Sequence, residues 1–281
     1  MPFASLESLS FIIYGENAFM MGIKRSFAIF CMLLSVFGLF PLLFRDDEDV
    51  LLPPSVVQVF DGDTIELTEG GRKRKIRYLL IDTPELHHPS RPAEELGEDA
   101  RSFNALLLSK GQIRLEYDRE LEDKYGRLLA YVFVGNSSGE IFISEELVRY
   151  GLALPMVIPP NDKYALRVFR AMEEARNEKR GLWRRADNRL FSAAQAWNEA
   201  PFLAGSFITL IMAIDKIETS GRRIFLRNGR TSISAYRSPQ TESLWYLREG
   251  NSLQAAGKLI ASYAGCEIQV VSDLQVSLLP E

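Results

Sequence analysis

The chain has 281 residues, of which 47% are hydrophobic and 25% are charged, and its net charge is −4. This composition excludes an intrinsically disordered chain, and the length allows two modest domains. A net negative chain also lacks the general positive charge of many polyanion-binding proteins, so binding to nucleic acid would require a local basic patch. The two cysteines, Cys31 and Cys266, do not suggest a disulfide framework.

The N-terminal region contains a long apolar stretch. Residues 26–44 carry no charge, and about 19 residues rising about 1.5 Å each cover most of the hydrocarbon thickness of a bilayer. Lys24 and Arg25 precede the stretch, and acidic residues follow it at 46–49. The positive-inside rule therefore predicts a cytoplasmic segment at 1–25, a transmembrane anchor at 26–44, and an extracytoplasmic remainder.

A cleaved signal peptide is the alternative to this anchor, and it would give a secreted or periplasmic protein. The apolar stretch is longer than a usual signal-peptide core, and no Ala-x-Ala-like site precedes the acidic run. Both features favour the anchor. Residues 45–54 are polar and contain proline, which predicts a tether to the first folded domain.

Two groups of carboxylates follow predicted strands. Residues 56–67 predict two strands separated by Asp61-Gly62-Asp63, and residues 75–81 predict a third strand that ends at Asp82. Oxygen atoms of Asp63, Asp82 and the Thr83 carbonyl are ligands that a hard cation such as Ca²⁺ prefers. Alternatively, the first group is only a turn and the second only marks a strand end. The presence of both groups in the same stretch favours a metal site.

A third motif, Asp123-Lys124-Tyr125-Gly126-Arg127, lies in a charged loop downstream. With Asp-Gly-Asp-Thr at 61–64, Arg77, and Asp-Thr-Pro-Glu at 82–85, it forms an ordered series of motifs. This series resembles the staphylococcal nuclease, or thermonuclease-like, family over about residues 56 to 183. The resemblance implies calcium-dependent hydrolysis of phosphodiester bonds in DNA, RNA or both.

The resemblance also assigns roles to individual residues. It implies that Asp63, Asp82 and the Thr83 carbonyl hold Ca²⁺, and that Glu85 positions or deprotonates the attacking water. The remaining roles are phosphate binding by Arg77 and Arg127 and substrate binding by Lys124 and Tyr125. Arginine suits phosphate because its planar fork donates two hydrogen bonds and stays charged.

A non-catalytic binding module built on the same barrel is the alternative function. Such a module has no chemical reason to keep Arg77, Glu85 and Arg127 together, so the intact set favours an enzyme. One departure from the family concerns residues 154–159, where Leu-Pro-Met-Val-Ile-Pro replaces the tyrosines that pack against a nucleoside. Less base stacking is expected there.

The order of the predicted elements indicates an α+β domain at 55–184, which the resemblance implies is nuclease-like. It consists of a five-stranded barrel of the oligonucleotide-binding (OB) type with three helices. Beyond the strands above, the pattern predicts further elements, namely strands at 112–117 and 128–134, a helix at 144–150 capped by Ser144, and helices at 98–109 and 162–183.

The C-terminal region changes to short β-like runs after a linker at 185–201. These runs predict a small accessory β-barrel at 202–281, whose pattern resembles OB-like domains. No protein partner can be assigned from the sequence. Because every candidate catalytic residue precedes this region, we expect it to be dispensable for bond cleavage.

Overall fold

The computed structural model describes residues 55–87, 93–136 and 139–280. The predicted anchor at 26–44 and the tether at 45–54 lie outside the described residues. Within the ranges described, none of the helices combines the length and apolar character that a membrane crossing requires.

The N-terminal sheet has the strand order of an OB-type barrel. The strands of this half are β1 (Ser55–Val59), β2 (Thr64–Glu69), β3 (Arg72–Tyr78), β4 (Leu80–Asp82), β5 (Gln112–Glu116), β6 (Leu128–Asn136), β7 (Gly139–Phe142) and β8 (Leu154–Met156). The sheet order is β1-β2-β3-β6-β5, with β7 on β6 and a separate β4–β8 pair. Within the sheet, β3 and β6 pair in parallel, and the other strand pairs are antiparallel. The predicted OB-type sheet is confirmed, with β7 as an additional strand.

The helices differ from the sequence prediction in two places. They are α1 (Gly97–Leu108), α2 (Ile143–Arg149), α3 (Ala165–Asn177), α4 (Leu182–Asp187), α5 (Ala193–Asn198) and α6 (Ala200–Leu203). The single helix predicted at 162–183 is wrong, because Gly181 adopts a left-handed φ of 50° between α3 and α4. A Cβ at Gly181 would lie 2.2 Å from the Gly151 carbonyl oxygen, so this close backbone contact requires glycine.

The predicted cap of α2 is also wrong. The extended residue before this helix is Phe142, and it provides no side-chain cap. The Ser144 side chain is buried within the first turn, where its hydroxyl donates a hydrogen bond to the Leu79 carbonyl at 3.1 Å. The Ser144 hydroxyl therefore links α2 to the backbone that follows β3, and it does not cap the helix.

A second sheet, which we call the C-terminal sheet, follows α4. Its strands are β9 (Leu190–Ser192), β10 (Phe207–Ala213), β11 (Lys216–Ser220), β12 (Arg223–Asn228), β13 (Thr231–Tyr236), β14 (Ser252–Ala261), β15 (Cys266–Val270) and β16 (Val276–Leu278). The order is β11-β12-β13-β15-β14-β10-β9, with β16 on β14. The predicted linker at 185–201 is folded as the end of α4, β9, α5 and the start of α6.

The two sheets share a packed boundary. Phe207 of β10 belongs to the apolar core of the N-terminal half, and its ring meets Trp183 of α4 edge-on at 5.4 Å. The Thr209 hydroxyl donates a hydrogen bond to the Ala186 carbonyl at 3.1 Å. The described residues therefore belong to one compact unit, and β14 lies close to the end of β4.

Candidate active site

The pairing of β2 with β3 brings the first predicted ligand beside the first predicted arginine. Thr64 pairs with Arg77, and the Tyr78 amide donates a hydrogen bond to the Asp63 carbonyl at 2.8 Å. Asp63 and Arg77 are both buried, and Arg77 Nη1 lies 3.1 Å from Asp63 Oδ2. A buried charge is costly unless it is paired, so each of these residues depends on the other.

A break in the strand predicted at 75–81 completes the environment of Arg77. Leu79 lies between β3 and β4, and Leu80, the first residue of β4, has a left-handed φ of 72°, which is uncommon for a residue other than glycine. Arg77 Nη1 donates hydrogen bonds to the Tyr78 and Ile81 carbonyl oxygens, each at 3.0 Å. The guanidinium is thus held by backbone carbonyl groups on both sides of the break.

Asp82 lies at the end of β4, where that strand pairs with β8. Arg77 Nη2 donates a hydrogen bond to Asp82 Oδ1 at 3.3 Å, and 46% of the Asp82 side chain is exposed. Desolvation in the surrounding cleft raises the pKa of Asp82, and the nearby charge of Lys258 acts in the opposite direction. The neighbouring Thr83 donates two hydrogen bonds to Asp63 Oδ2, from its amide and its hydroxyl, both at 2.9 Å.

Asp61 is a site residue that the sequence motif contained without assigning it a role. Its Oδ1 accepts a hydrogen bond from the Asp63 amide at 3.0 Å. Desolvation and the charge of Asp63 raise the pKa of Asp61 to about 6. Asp61, Asp63 and Asp82 thus form an excess of negative charge that a cation would neutralise.

Glu85 lies just beyond β4, and its side chain is exposed. Its Oε1 accepts a hydrogen bond from the His87 amide at 2.9 Å. Its backbone forms reciprocal contacts with Glu94: the Glu94 amide donates to the Glu85 carbonyl at 2.8 Å, and the Glu85 amide donates to Glu94 Oε2 at 3.1 Å. The carboxylate is therefore accessible while its backbone is fixed.

Arg127 directly precedes β6, whose first residue Leu128 pairs with Ile76. Arg77 pairs with Leu129, so Arg127 lies two residues before the position opposite Arg77. Arg127 Nε lies 2.7 Å from Asp123 Oδ2, and among the described residues its terminal nitrogens have no hydrogen-bond acceptor. Those nitrogens form a fork that can bind a phosphate.

The predicted substrate-binding pair lies in the exposed turn before Arg127. The Tyr125 side chain is 73% exposed, and Lys124 Nζ lies 5.0 Å from the centre of its ring. The guanidinium of Arg127 lies 5.7 Å from the same ring. An exposed ring flanked by two cations can stack on a base while the cations face its phosphates.

The chemistry of the donors fits a hard cation, although a formed metal geometry is not found. Asp61, Asp63 and Asp82 supply carboxylate oxygens, and like-charge repulsion contributes to the raised pKa values of Asp61 and Asp82. Over the ranges described, three or more His, Cys, Asp or Glu side chains are nowhere grouped as a metal site. The sequence prediction of a calcium site is therefore supported by donor type and proximity alone.

Sequence reasoning missed one neighbour of the site, Lys258 of β14. Its Nζ lies 2.8 Å from Glu94 Oε2 and 4.0 Å from Asp82 Oδ2. The alternating pattern of β14 predicts only that Lys258 faces away from the core of the C-terminal sheet. No local sequence signal connects it to a loop so distant in the chain.

Comparison of the sequence with known proteins identifies the family of this chain. The model of the family described as "Staphylococcal nuclease homologue" matches residues 75–185. The chain is 41% identical over 130 residues to a thermonuclease of Staphylococcus intermedius, covering 46% of this chain and 75% of that protein. It is 40% identical over 139 residues to Endonuclease YncB of Bacillus subtilis, covering 49% of this chain and 64% of that protein. The chain therefore belongs to the staphylococcal nuclease family.

Proposed function

We propose that the protein is a Ca²⁺-dependent nuclease that hydrolyses phosphodiester bonds of DNA, RNA or both. The observation that carries the proposal is the buried Arg77 guanidinium held between Asp63 and Asp82, with Glu85 exposed just beyond β4 and Arg127 at the start of β6, which pairs with β3. Arg77 is held at this position by buried contacts, whereas Glu85 is exposed to a substrate. Relatives named thermonuclease and endonuclease support the same function.

The residues divide the chemistry between them. Glu85 accepts the proton of the attacking water, whose oxygen bonds to phosphorus as the bond to the leaving sugar oxygen breaks. Arg77 and Arg127 donate hydrogen bonds to phosphate oxygens where negative charge develops. Lys124 and Tyr125 hold the adjoining nucleotide through charge and stacking.

Asp63, Asp82 and the Thr83 carbonyl would hold the Ca²⁺, with Asp61 close by. The cation supplies positive charge beside the scissile phosphate. The chain's own residues contribute the oxygen donors and the buried arginine that fixes them. Because these carboxylates repel one another in the metal-free protein, binding a cation is expected to relieve that repulsion.

The test is cleavage of single-stranded DNA, double-stranded DNA and RNA by the full chain, with Ca²⁺ or with a chelator. We expect cleavage of at least one substrate with Ca²⁺ and none with the chelator. The Glu85→Gln variant should leave most of the substrate uncut in the time that the wild type needs for complete cleavage, and the matched Glu218→Gln variant in β11 should cleave like the wild type. Binding of nucleic acid without cleavage would instead favour a non-catalytic module.

The cellular location is a separate part of the proposal. The uncharged stretch 26–44 and its basic flank support a retained single-pass anchor with the nuclease outside the cytoplasm. Membrane fractionation with mass spectrometry of the mature N-terminus tests this. A soluble mature form that starts near Leu39 would identify the stretch as a cleaved signal peptide.

The strand order of the C-terminal sheet supports an OB-like fold for that region as well. The order β11-β12-β13-β15-β14 and the parallel β13–β15 pair repeat the pattern of the N-terminal sheet. At the β14 end of this series the next strand is β10, which directly precedes β11 in the chain. This is the arrangement of a first strand that bends to close a barrel.

A further inference from the structure

Lys258 reaches the candidate active site from the C-terminal sheet. In β14, Leu253, Ala255 and Leu259 are buried in the core of that sheet, and Lys258 lies on the alternate face. The same face carries Ala256, which packs against the core of the N-terminal half. The alternation of β14 therefore directs Lys258 across the boundary.

The partner of Lys258 is in contact with the proposed general base. Glu94 Oε2 accepts a hydrogen bond from Lys258 Nζ at 2.8 Å and another from the Glu85 amide at 3.1 Å. The Glu94 amide returns a hydrogen bond to the Glu85 carbonyl at 2.8 Å. A single carboxylate oxygen thus links the C-terminal sheet to the backbone of Glu85.

The neighbouring Glu95 is fixed from the same side. Arg189 contacts both of its carboxylate oxygens, at 2.6 and 3.2 Å, and Arg185 Nε lies 3.0 Å from Oε1. Two-point binding by arginine is directional, so these contacts orient the backbone of the turn that carries Glu94. Three cationic side chains, Arg185, Arg189 and Lys258, therefore hold the turn before α1.

The ion pair between Lys258 and Glu94 is largely shielded from solvent, so losing the lysine charge should affect Glu94 strongly. The Glu94 side chain is 12% exposed, and the Lys258 side chain is 32% exposed. Removing the lysine charge would leave a nearly buried carboxylate without its ammonium partner, beside Asp82. Such a group tends to move toward water, and this displacement would break its hydrogen bond with the Glu85 amide.

We propose that Lys258 is a positioning residue that acts through Glu94 to hold Glu85 in its catalytic orientation. This inference rests on the proposed nuclease function. It makes the C-terminal sheet part of the active site. It also replaces the expectation, drawn from the sequence, that this region is dispensable for cleavage.

The kinetic test uses the full chain at saturating Ca²⁺ and compares Lys258→Met, Lys258→Arg and a control, Lys216→Met. Lys216 lies on the same sheet and pairs with Glu218 at the same 2.8 Å, away from the site. We expect Lys258→Met to lower kcat on the order of 10-fold to 10²-fold with little change in KM, because a misplaced catalytic group lowers the rate. Lys258→Arg should restore most of the rate, and Lys216→Met should match the wild type.

A double-substitution cycle distinguishes positioning from general destabilisation. If Lys258 acts through Glu85, adding Lys258→Met to Glu85→Gln should change kcat less than twofold, roughly the non-additivity of residues that act as a unit. Equal fold losses in the two backgrounds would overturn the inference. So would a Lys258→Met variant with the kcat of the wild type.

Amide hydrogen exchange provides a readout that does not require activity. Lys258→Met should increase exchange at the Glu85 and Glu94 amides, and Lys216→Met should not. Unchanged exchange at both amides would overturn the positioning contact. An inactive wild-type chain with this exchange response would instead overturn the proposed nuclease function, so the two failures are distinguishable.

Discussion

The two sheets of this protein share a strand order but bury different polar groups. In the described part of the N-terminal half, the buried polar residues include the charged pair Asp63 and Arg77. In the described part of the C-terminal sheet, buried polar side chains on the strands are the hydroxyls Thr209, Thr231, Ser232 and Ser234. Thr231, for example, donates a hydrogen bond to the Ala193 carbonyl at 2.7 Å.

The comparison shows that this strand order does not itself require a buried ion pair. The buried polar side chains on the strands of the C-terminal sheet are neutral hydroxyls, and burying a hydroxyl costs less desolvation free energy than burying a charged group. The charged pair of the N-terminal sheet therefore has to be explained by chemistry. It fixes a guanidinium beside three carboxylates, where a phosphate and a cation can be bound.

The largest contrast between the sheets is expected at the proposed general base. Glu85→Gln should reduce kcat by about 10² to 10⁴-fold, the range for loss of general acid–base catalysis. Glu267→Gln, in β15 of the C-terminal sheet, removes a carboxylate that pairs with Arg223 and should change kcat less than about twofold. Single-turnover cleavage assays measure both, and equal losses would remove the functional distinction between the sheets.

Arginine substitutions are expected to give the next largest contrast. Arg127→Ala should reduce kcat on the order of 10² to 10³-fold, because a donor to the developing phosphate charge is lost. Arg237→Ala removes an exposed arginine that pairs with Glu242 in the C-terminal region, and its activity should be that of the wild type. Cleavage rates at several substrate concentrations test this. A normal kcat in Arg127→Ala would contradict the assigned role.

The buried arginine should affect stability as well as activity. Arg77→Ala leaves Asp63 buried without its guanidinium, so the free energy of unfolding should fall by about 3–5 kcal/mol. Arg127 is partly exposed, so its removal should cost less than about 1 kcal/mol. Denaturant unfolding of the two variants measures the difference. Equal losses in the free energy of unfolding would show that the buried Asp63–Arg77 pair contributes no more to stability than the partly exposed Arg127 does.

The smallest expected effect is a pH dependence at Asp123. Desolvation acts to raise its pKa, but hydrogen bonds from the Arg127 amide and guanidinium outweigh it, and the pKa of Asp123 is lowered from 3.8. The resulting stability is present above pH 3.8 and is lost as the pH falls through the lower folded-state pKa. Asp123→Asn should therefore cost about 1 kcal/mol at pH 7 and progressively less below about pH 4. A difference that grows on acidification would contradict this sign.

Features set by residues close together in the chain could be predicted from the sequence, whereas features set by contacts between residues far apart in the chain could not. The carboxylate motifs lie at strand ends and Arg77 lies within β3, so the proximity of Asp63, Asp82 and Arg77 could be inferred from the order of strands whose alternation is readable. The break at Leu80 could not be read, because a branched residue with a left-handed φ has no local signature. The division of the helix at Gly181 depends on close contact with Gly151, which only the tertiary fold creates.

The contacts that the C-terminal region makes with the candidate site could also not be predicted from the sequence. The linker predicted at 185–201 is rich in alanine, and its two arginines, Arg185 and Arg189, both bind Glu95. Lys258 belongs to a strand whose pattern indicates only which side faces the core. Its contact with Glu94 depends on how the two sheets pack, which residue patterns do not specify.

The most direct test of the central claim is the cleavage rate as a function of free Ca²⁺ for the wild type and Asp82→Asn. Asp82 is half-exposed and its loss leaves the buried Asp63–Arg77 pair intact, so the variant should fold normally. We expect chelator to abolish wild-type cleavage, and we expect Asp82→Asn to need more Ca²⁺ for half-maximal rate, because one charged oxygen ligand is lost. Wild-type cleavage that persists in chelator, or identical Ca²⁺ dependence of the two proteins, would contradict the assignment of this carboxylate cluster as a metal-dependent nuclease site.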